Sequence, residues 1–317
     1  MRLRKHPKAL PRFVMPNLSV VIPTHNRAGL LPRAVESVLQ AGTDLEVIVV
    51  DNASADDTPQ VCAHLPDIRY LRLDRNTGEG GARNVGIRES RSEYVAFLDD
   101  DDLRLPGSLD RQLEVLAHDP QAALVYAPVL IGDEQDCRPT GESYPESCPT
   151  GDVFWKLLTY NFIPMPSVVA RKQHLIEAGL FESSLKPVRD WDLWLRVAEK
   201  FTVTAIDEPV AIYRKWNVSA NQMSANPARL YPAAAAVQAR ALRLARARRA
   251  PSAMRWQIRR QYLNLISDGL LYEAGVALGD DRLRSACANV SAALRLQPLR
   301  VLRSQQLRGL ITSALRK

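Results

Sequence analysis

Four consecutive carboxylates, Asp99 to Asp102 in "YVAFLDDDDLRLPGSL", follow directly on an apolar run. Like charges this close repel one another strongly, so the pattern calls for something positive among them. A hard divalent cation such as Mg²⁺ or Mn²⁺ needs only one or two protein carboxylates when phosphate oxygens and water complete its shell. Asp99 and Asp101, on either side of Asp100, can address one such ion if the chain bends there, and the ion would then bridge the protein to a diphosphate. The alternative is a solvated acidic turn that caps the following helix. An EF-hand does not fit, because the glycine and the distal glutamate are not at the required spacing.

Two further segments carry groups that can do chemistry. "NTGEGGARNVGI", residues 76–87, is glycine-rich and opens a helix, so its exposed N–H groups favour phosphate. It matches neither the Walker pattern nor GxGxxG, and taken alone it is equally a plain loop; Arg83 and Asn84, early in the helix, stand where they can help hold a nucleotide diphosphate. In "RDWDLWLR", residues 189–196, Asp190 begins an aromatic helix. Beside Trp191 and Trp194 its carboxylate is partly desolvated, which raises its pKa and basicity. As an N-cap satisfied by backbone N–H groups it would instead have a lowered pKa.

These groups need a scaffold, and the first half of the chain supplies one. Residues 18–23, 45–51, 68–73, 94–99 and 123–127 are short β-rich runs of near-continuous apolar character, as in strands covered on both faces of a mostly parallel sheet. Helical patterns lie between them. Leu31, Ala34, Val35, Val38 and Leu39 share one stripe, Ser54 with Asp57 reads as an N-cap, a third helix is expected from about Gly81 to Ser90, and a fourth between Pro106 and Pro120. The fold class is therefore α/β, a mostly parallel sheet sandwiched by helices, followed by a C-terminal helical extension. Open sheets of this kind bind ligands beyond the carboxyl ends of their strands. Pro23-Thr24-His25-Asn26-Arg27, Asp51-Asn52 and Asp99–Asp102 would all emerge at that edge. Residues 132–151 look loop-like, "VTAIDEPVAIYR" resembles late strands, and Gly269, Gly275 and Gly279 or Pro298 divide the tail into three or four helices.

Composition sets the outer limits. The 317 residues are 46% hydrophobic and 24% charged, which suits a globular protein with a sizeable core. Residues 1–16 carry five bases and no acid, residues 17–227 carry 31 acids against 20 bases, and residues 228–317 carry 17 bases against four acids. The division expected is a basic segment over 1–16, an α/β domain over 17–227 with halves of about 17–131 and 132–227, and a basic helical region over 228–317. No run approaches the roughly 18 apolar residues that span a bilayer, and the basic start lacks a signal peptide's apolar stretch. Cys62, Cys137, Cys148 and Cys287 have no metal spacing, so reduced thiols and a cytoplasmic setting are expected.

Taken in order, "VVIPTHNRAGLLPRAVESVLQ", "EVIVVDNASADDT", "NTGEGGARNVGI", "YVAFLDDDDLRLPGSL", "AGLFESSL" and "RDWDLWLRVAEKF" resemble the family-2 glycosyltransferases, inverting enzymes with the GT-A fold, over residues 18 to about 215. The resemblance implies a nucleotide-sugar donor, probed by Pro23, Thr24 and Arg27 in the nucleotide pocket, with Asp51 facing the base, usually uracil. It places Arg83, Asn84 and Asp100 beside the donor, makes Asp99 and Asp101 the DxD pair that holds Mg²⁺ or Mn²⁺, and puts the catalytic base at Asp190. The chain departs from the family twice. Where Glu-Asp is common it has Arg189-Asp190, and "KWNVSANQMS" after Tyr213-Arg214 lacks the histidine that many members carry nearby. The implied acceptor is a hydroxyl of a glycan or of a lipid-linked oligosaccharide in cell-envelope or exopolysaccharide assembly.

Rival functions fit less well. A nucleotidyltransferase would open with a glycine-rich, arginine-bearing loop after the first strand, which "VIPTHNRAG" is not. A nicotinamide dehydrogenase needs GxGxxG at the same place. A nucleic-acid binder is not expected, because the basic tail lacks aromatic interleaving and the acidic cleft repels phosphates unless a metal is present. The tail either packs on the catalytic domain with its arginines solvated, or docks peripherally on the anionic inner face of the cytoplasmic membrane.

Overall fold

Strand β1 (Leu18–Thr24) shows why the apolar runs are unbroken: Val21 enters one core, while Val20 and Ile22 enter another on the opposite face. The computed structural model describes residues 17–215 and 226–315. The basic segment 1–16 and all but the first residue of "KWNVSANQMS" lie outside the described residues, so neither expectation is addressed.

After β1 the chain forms α1 (Leu31–Ala41), β2 (Leu45–Asp51), α2 (Thr58–His64), β3 (Ile68–Arg72), α3 (Gly78–Glu89), β4 (Tyr94–Phe97), β5 (Leu103–Arg104), α4 (Ser108–His118), β6 (Ala122–Tyr126), β7 (Val129–Gly132) and β8 (Pro139–Tyr144). There follow α5 (Phe154–Leu157), β9 (Val169–Arg171), α6 (Lys172–Glu177), α7 (Arg189–Lys200), β10 (Thr202–Ala205) and β11 (Ala211–Arg214). The main sheet has the order β10-β6-β9-β4-β1-β2-β3, and in it only β9 runs against its neighbours. Helices α1 and α4 cover one face through Leu31, Val35, Val38, Leu109 and Leu116; α3 and α7 cover the other through Ala82, Ile87, Trp191 and Trp194. This is the α/β sandwich expected from the sequence.

Two close approaches fix the site side of the sheet. A Cβ on Gly86 would lie 2.3 Å from Val21 Cγ1, so the absence of a side chain there lets α3 press directly on β1. A smaller sheet, β5-β11-β7-β8, sits beside the main one, and its antiparallel β5–β11 pair holds residues 103–104 against 211–212.

Several boundaries differ from the expectations. Helix α3 begins at Gly78, three residues before the expected start, with Gly78 itself at φ +74°. The stretch 132–151 is not simply loop: β7 and β8 pair antiparallel, and β8 escapes the apolar pattern because it is exposed along its whole length. Among the described residues the tail forms α8 (Pro227–Ala241), α9 (Ala245–Arg249), α10 (Ser252–Gly279), α11 (Leu283–Leu296), α12 (Pro298–Arg303) and α13 (Gln305–Leu315), six helices rather than three or four. Gly269 and Gly275 lie inside α10. A Cβ on Gly269 would be 2.9 Å from the Tyr231 ring, so that glycine serves the packing of α10 on α8 and not a break.

The tail is joined to the α/β layer through its core. Ala234, Ala235, Val237, Ala241 and Leu242 pack with Phe154 and Trp191, and Gln238 Nε2 donates to the Leu158 carbonyl at 3.0 Å. The basic region therefore begins as part of the α/β core, and only its later helices form clusters of their own.

Candidate active site

The carboxyl edge of β1, β2 and β4 and the N-terminus of α7 open on one cleft of about 1200 Å³. Of the expected site residues, Pro23, Thr24, Arg27, Arg83, Asp99, Asp100, Asp101 and Asp190 line it. Asp51 and Asn84 do not. Asp51 is fully buried, taking the Tyr70 hydroxyl at 2.6 Å and the Ser54 N–H at 2.8 Å, with Arg72 at 3.4 Å. Asn84 closes a reciprocal pair with Phe181, donating to its carbonyl at 2.8 Å and accepting its N–H at 2.9 Å, so its amide ties α3 to the segment before α7.

The turn after β1 carries Arg27. Asn26, at φ +55°, donates its N–H to Ser54 Oγ at 3.0 Å and accepts the Ala55 N–H at 2.7 Å. Ser54 was expected to cap α2, which instead starts at Thr58; the hydroxyl is spent holding the Arg27 turn. The Arg27 guanidinium donates to Asp100 Oδ1 at 3.1 Å and to Asp101 Oδ2.

After β4 the Leu98 N–H donates to the Val21 carbonyl at 3.2 Å and the chain then turns, with the Asp102 N–H on the Asp99 carbonyl at 3.1 Å. The four carboxylates thereby part company. Asp99 is met by the buried Arg83 guanidinium, and Asp100 and Asp101 by Arg27. Asp102 points inward and accepts the Arg214 N–H at 2.8 Å. It does not cap α4, whose N-cap is Gly107. Burial pushes the Asp100 carboxyl up to about 7 against the pull of Arg27, and burial with Asp101 and Asp99 nearby pushes Asp102 well above the ordinary range.

Asp190 lies in the first turn of α7, after Val188 as N-cap. Burial raises its pKa from 3.8, and the Trp191 N–H and the charge of Arg83 only partly oppose this. The N-cap position itself is Val188, so Asp190 is not the cap, and its half-buried carboxylate lines the cleft. Asn161 Nδ2 donates to Asp190 Oδ2 at 3.0 Å and orients it. Arg189 turns to Glu79, donating to its Oε2 at 2.8 Å, while Arg83 lies 3.8 Å from the same carboxylate.

The sequence pointed to neither Asn161 nor the Glu79–Arg189 pair. Their contacts join residues 29 and 110 positions apart, and nothing local in the chain announces them. Leu230 of α8 and Glu273 of α10 also line the cleft, so the helical region completes its wall.

Residues 19–173 match the family model for Glycosyl transferase family 2. The chain belongs to that family. Among curated relatives, an uncharacterized glycosyltransferase of Haemophilus influenzae is 28% identical over 198 residues, 61% of this chain and 66% of the relative. The succinoglycan biosynthesis protein ExoO of Rhizobium meliloti is 46% identical over 103 residues, 32% of this chain and 30% of the relative. The chain thus spans from about a third to just under two-thirds of the length of these relatives. Its fold is shared with solved structures of GT-A-type glycosyltransferases. S. aureus TarS 1-349 in complex with UDP-GlcNAc superposes with a TM-score of 0.64 at 18% identity, covering 95% of this chain and 92% of TarS 1-349. The mannosyltransferase PcManGT of Pyrobaculum calidifontis, in complex with GDP-Man and Mn²⁺, gives 0.57 at 19%, covering 96% and 87%.

Proposed function

We propose that this family 2 protein transfers a sugar, with inversion, from a nucleoside diphosphate donor, a UDP-sugar, to a hydroxyl of a glycan or lipid-linked acceptor. One observation carries this: three aspartates and a fourth, Asp190, open on the same cleft at the carboxyl edge of the sheet. Asp190 takes the proton of the acceptor hydroxyl, the freed oxygen attacks the anomeric carbon, and the bond to the diphosphate oxygen breaks through an oxocarbenium-like transition state. Asn161 keeps the Asp190 carboxylate aimed, and Arg83 offers a buried positive charge beside Asp99.

The residues present fit Mg²⁺ or Mn²⁺. Asp99 and Asp101 both face the cleft, are hard oxygen donors, and already attract guanidinium groups. Among the described residues no group of three His, Cys, Asp or Glu side chains comes together to hold a metal ion, so a cation here would draw its remaining ligands from phosphate oxygens and water. Asp99 and Asp101 would hold it, and when bound it supplies positive charge against the charge building on the departing diphosphate. UDP is supported by the resemblance and by the donor bound to TarS; GDP, the nucleotide of the GDP-Man bound to PcManGT, is the alternative. A role in polysaccharide assembly is supported by the name of the ExoO relative.

The test is a panel of nucleotide sugars incubated with the protein and Mn²⁺, reading release of the nucleoside diphosphate. One donor is expected to be hydrolysed, with EDTA abolishing the release; no release from any donor would refute the assignment.

The proposal extends to peripheral contact with anionic membrane, on the cytoplasmic side. No helix among the described residues is long and apolar enough to cross a membrane. The tail nevertheless exposes Trp256, with Arg260 stacked 4.6 Å over its ring, as well as Leu299 and Leu302. Such apolar tips beside arginines suit a headgroup layer, where each basic residue contributes about 1 kcal/mol. Sedimentation with anionic liposomes is expected at low salt and to fade at high salt; indifference to them at low salt would leave the tail a packing element.

A further inference from the structure

The positive charge that the aspartate run calls for is supplied from within the chain. Arg27 Nη1 reaches Asp100 Oδ1 and Asp101 Oδ2 together, bridging two carboxylates that would otherwise repel. Its main chain is pinned, with the Arg27 carbonyl accepting the Leu30 N–H at 3.0 Å and the Leu31 N–H at 3.3 Å. Its side chain is 39% exposed at the cleft. The guanidinium can therefore leave Asp101 by side-chain rotation while the turn stays in place. Arg83, by contrast, is 4% exposed, lies over the Phe181 ring and is held by Asp99, so it has no such freedom.

We propose that Arg27 is the internal counter-cation of the aspartate run. It holds Asp100 and Asp101 together in the metal-free protein, competes with the divalent cation for Asp101, and when displaced turns to the donor's diphosphate. The inference rests on the proposed metal and diphosphate chemistry of the same cleft. An ion entering at Asp101 meets the like charge of the guanidinium on Oδ2, so the two compete for that carboxylate. The released group remains at the cleft wall, where a guanidinium makes short, charge-assisted bonds to phosphate oxygens. Cation and nucleotide then strengthen each other's binding, and by linkage the effect is reciprocal. Arg27 is thus a positioning residue that makes the protein favour the cation–donor pair over the bare cation.

The experiment is Mn²⁺ binding followed by the electron paramagnetic resonance of the free ion, for wild type, Arg27→Gln and Arg27→Lys, without nucleotide and with UDP or GDP. Without nucleotide, Arg27→Gln is expected to bind Mn²⁺ on the order of tenfold more tightly than wild type. The nucleotide is expected to tighten Mn²⁺ binding strongly in wild type and much less in Arg27→Gln. Thermal unfolding in EDTA should show Arg27→Gln melting below wild type and recovering with Mn²⁺. If Arg27→Gln does not fold without metal, Arg27→Lys serves instead, with a smaller tightening expected. Unchanged or weaker Mn²⁺ binding by a folded variant, while wild type binds the ion, overturns the role of Arg27 alone. No Mn²⁺ binding by any of the three proteins, even with nucleotide, overturns the underlying metal chemistry as well.

Discussion

Asp190→Asn is expected to lower the transfer rate by roughly two to four orders of magnitude while donor binding stays within a few-fold of wild type. The amide keeps the shape and can still accept the Asn161 N–H through its carbonyl oxygen, but it cannot take the acceptor's proton. The pH profile offers an independent check. Burial raises the Asp190 pKa, and the basic form exists only above that pKa, so the wild-type rate should fall as pH drops through a value above 3.8. That acid limb should be missing from the residual activity of the variant. Near-normal transfer by Asp190→Asn would move the base elsewhere. Asp192 is then a poor substitute, because it is buried against Arg196 at 2.8 Å and Arg240 at 3.6 Å and does not line the cleft.

Asp101→Ala is expected to reduce transfer by at least ~100-fold, the usual scale for losing a charge-stabilising element. On the proposed reading the substitution removes a cation ligand, and it also removes one of the two carboxylates gripped by Arg27. Steady-state rates at increasing Mn²⁺ separate the two effects: extra metal should recover little, since the donor oxygen itself is gone. Wild-type turnover that EDTA does not diminish, with no metal found by elemental analysis, would contradict this role for Asp101.

Most of the scaffold was legible because its signals are local. The unbroken apolar runs of β1 and β2 follow from alternate residues feeding two cores, and Asn226-Pro227 marks the start of α8, with Asn226 as N-cap. The cleft was legible for the same reason, since parallel strands deliver their carboxyl ends to one edge. What could not be read depends on distant contacts. Ser54 looks like a helix cap until the turn that bears Arg27 claims its hydroxyl, and Asn84 looks donor-facing until Phe181 claims both ends of its amide. Gly269 resembles a helix break, but its bare backbone admits the Tyr231 ring. The replacement of an acid by Arg189 looked like a loss from the site; in the folded chain Glu79, from the neighbouring helix α3, meets it.

The central claim is that the cleft binds a nucleoside diphosphate through a cation held by the aspartate run. Isothermal titration of the wild-type protein with UDP and with GDP, each in Mn²⁺ and in EDTA, tests it most directly. One of the two nucleotides is expected to bind in Mn²⁺ and to lose nearly all of that binding in EDTA. Equal binding with and without the metal, or no binding of either nucleotide under any condition, would contradict it.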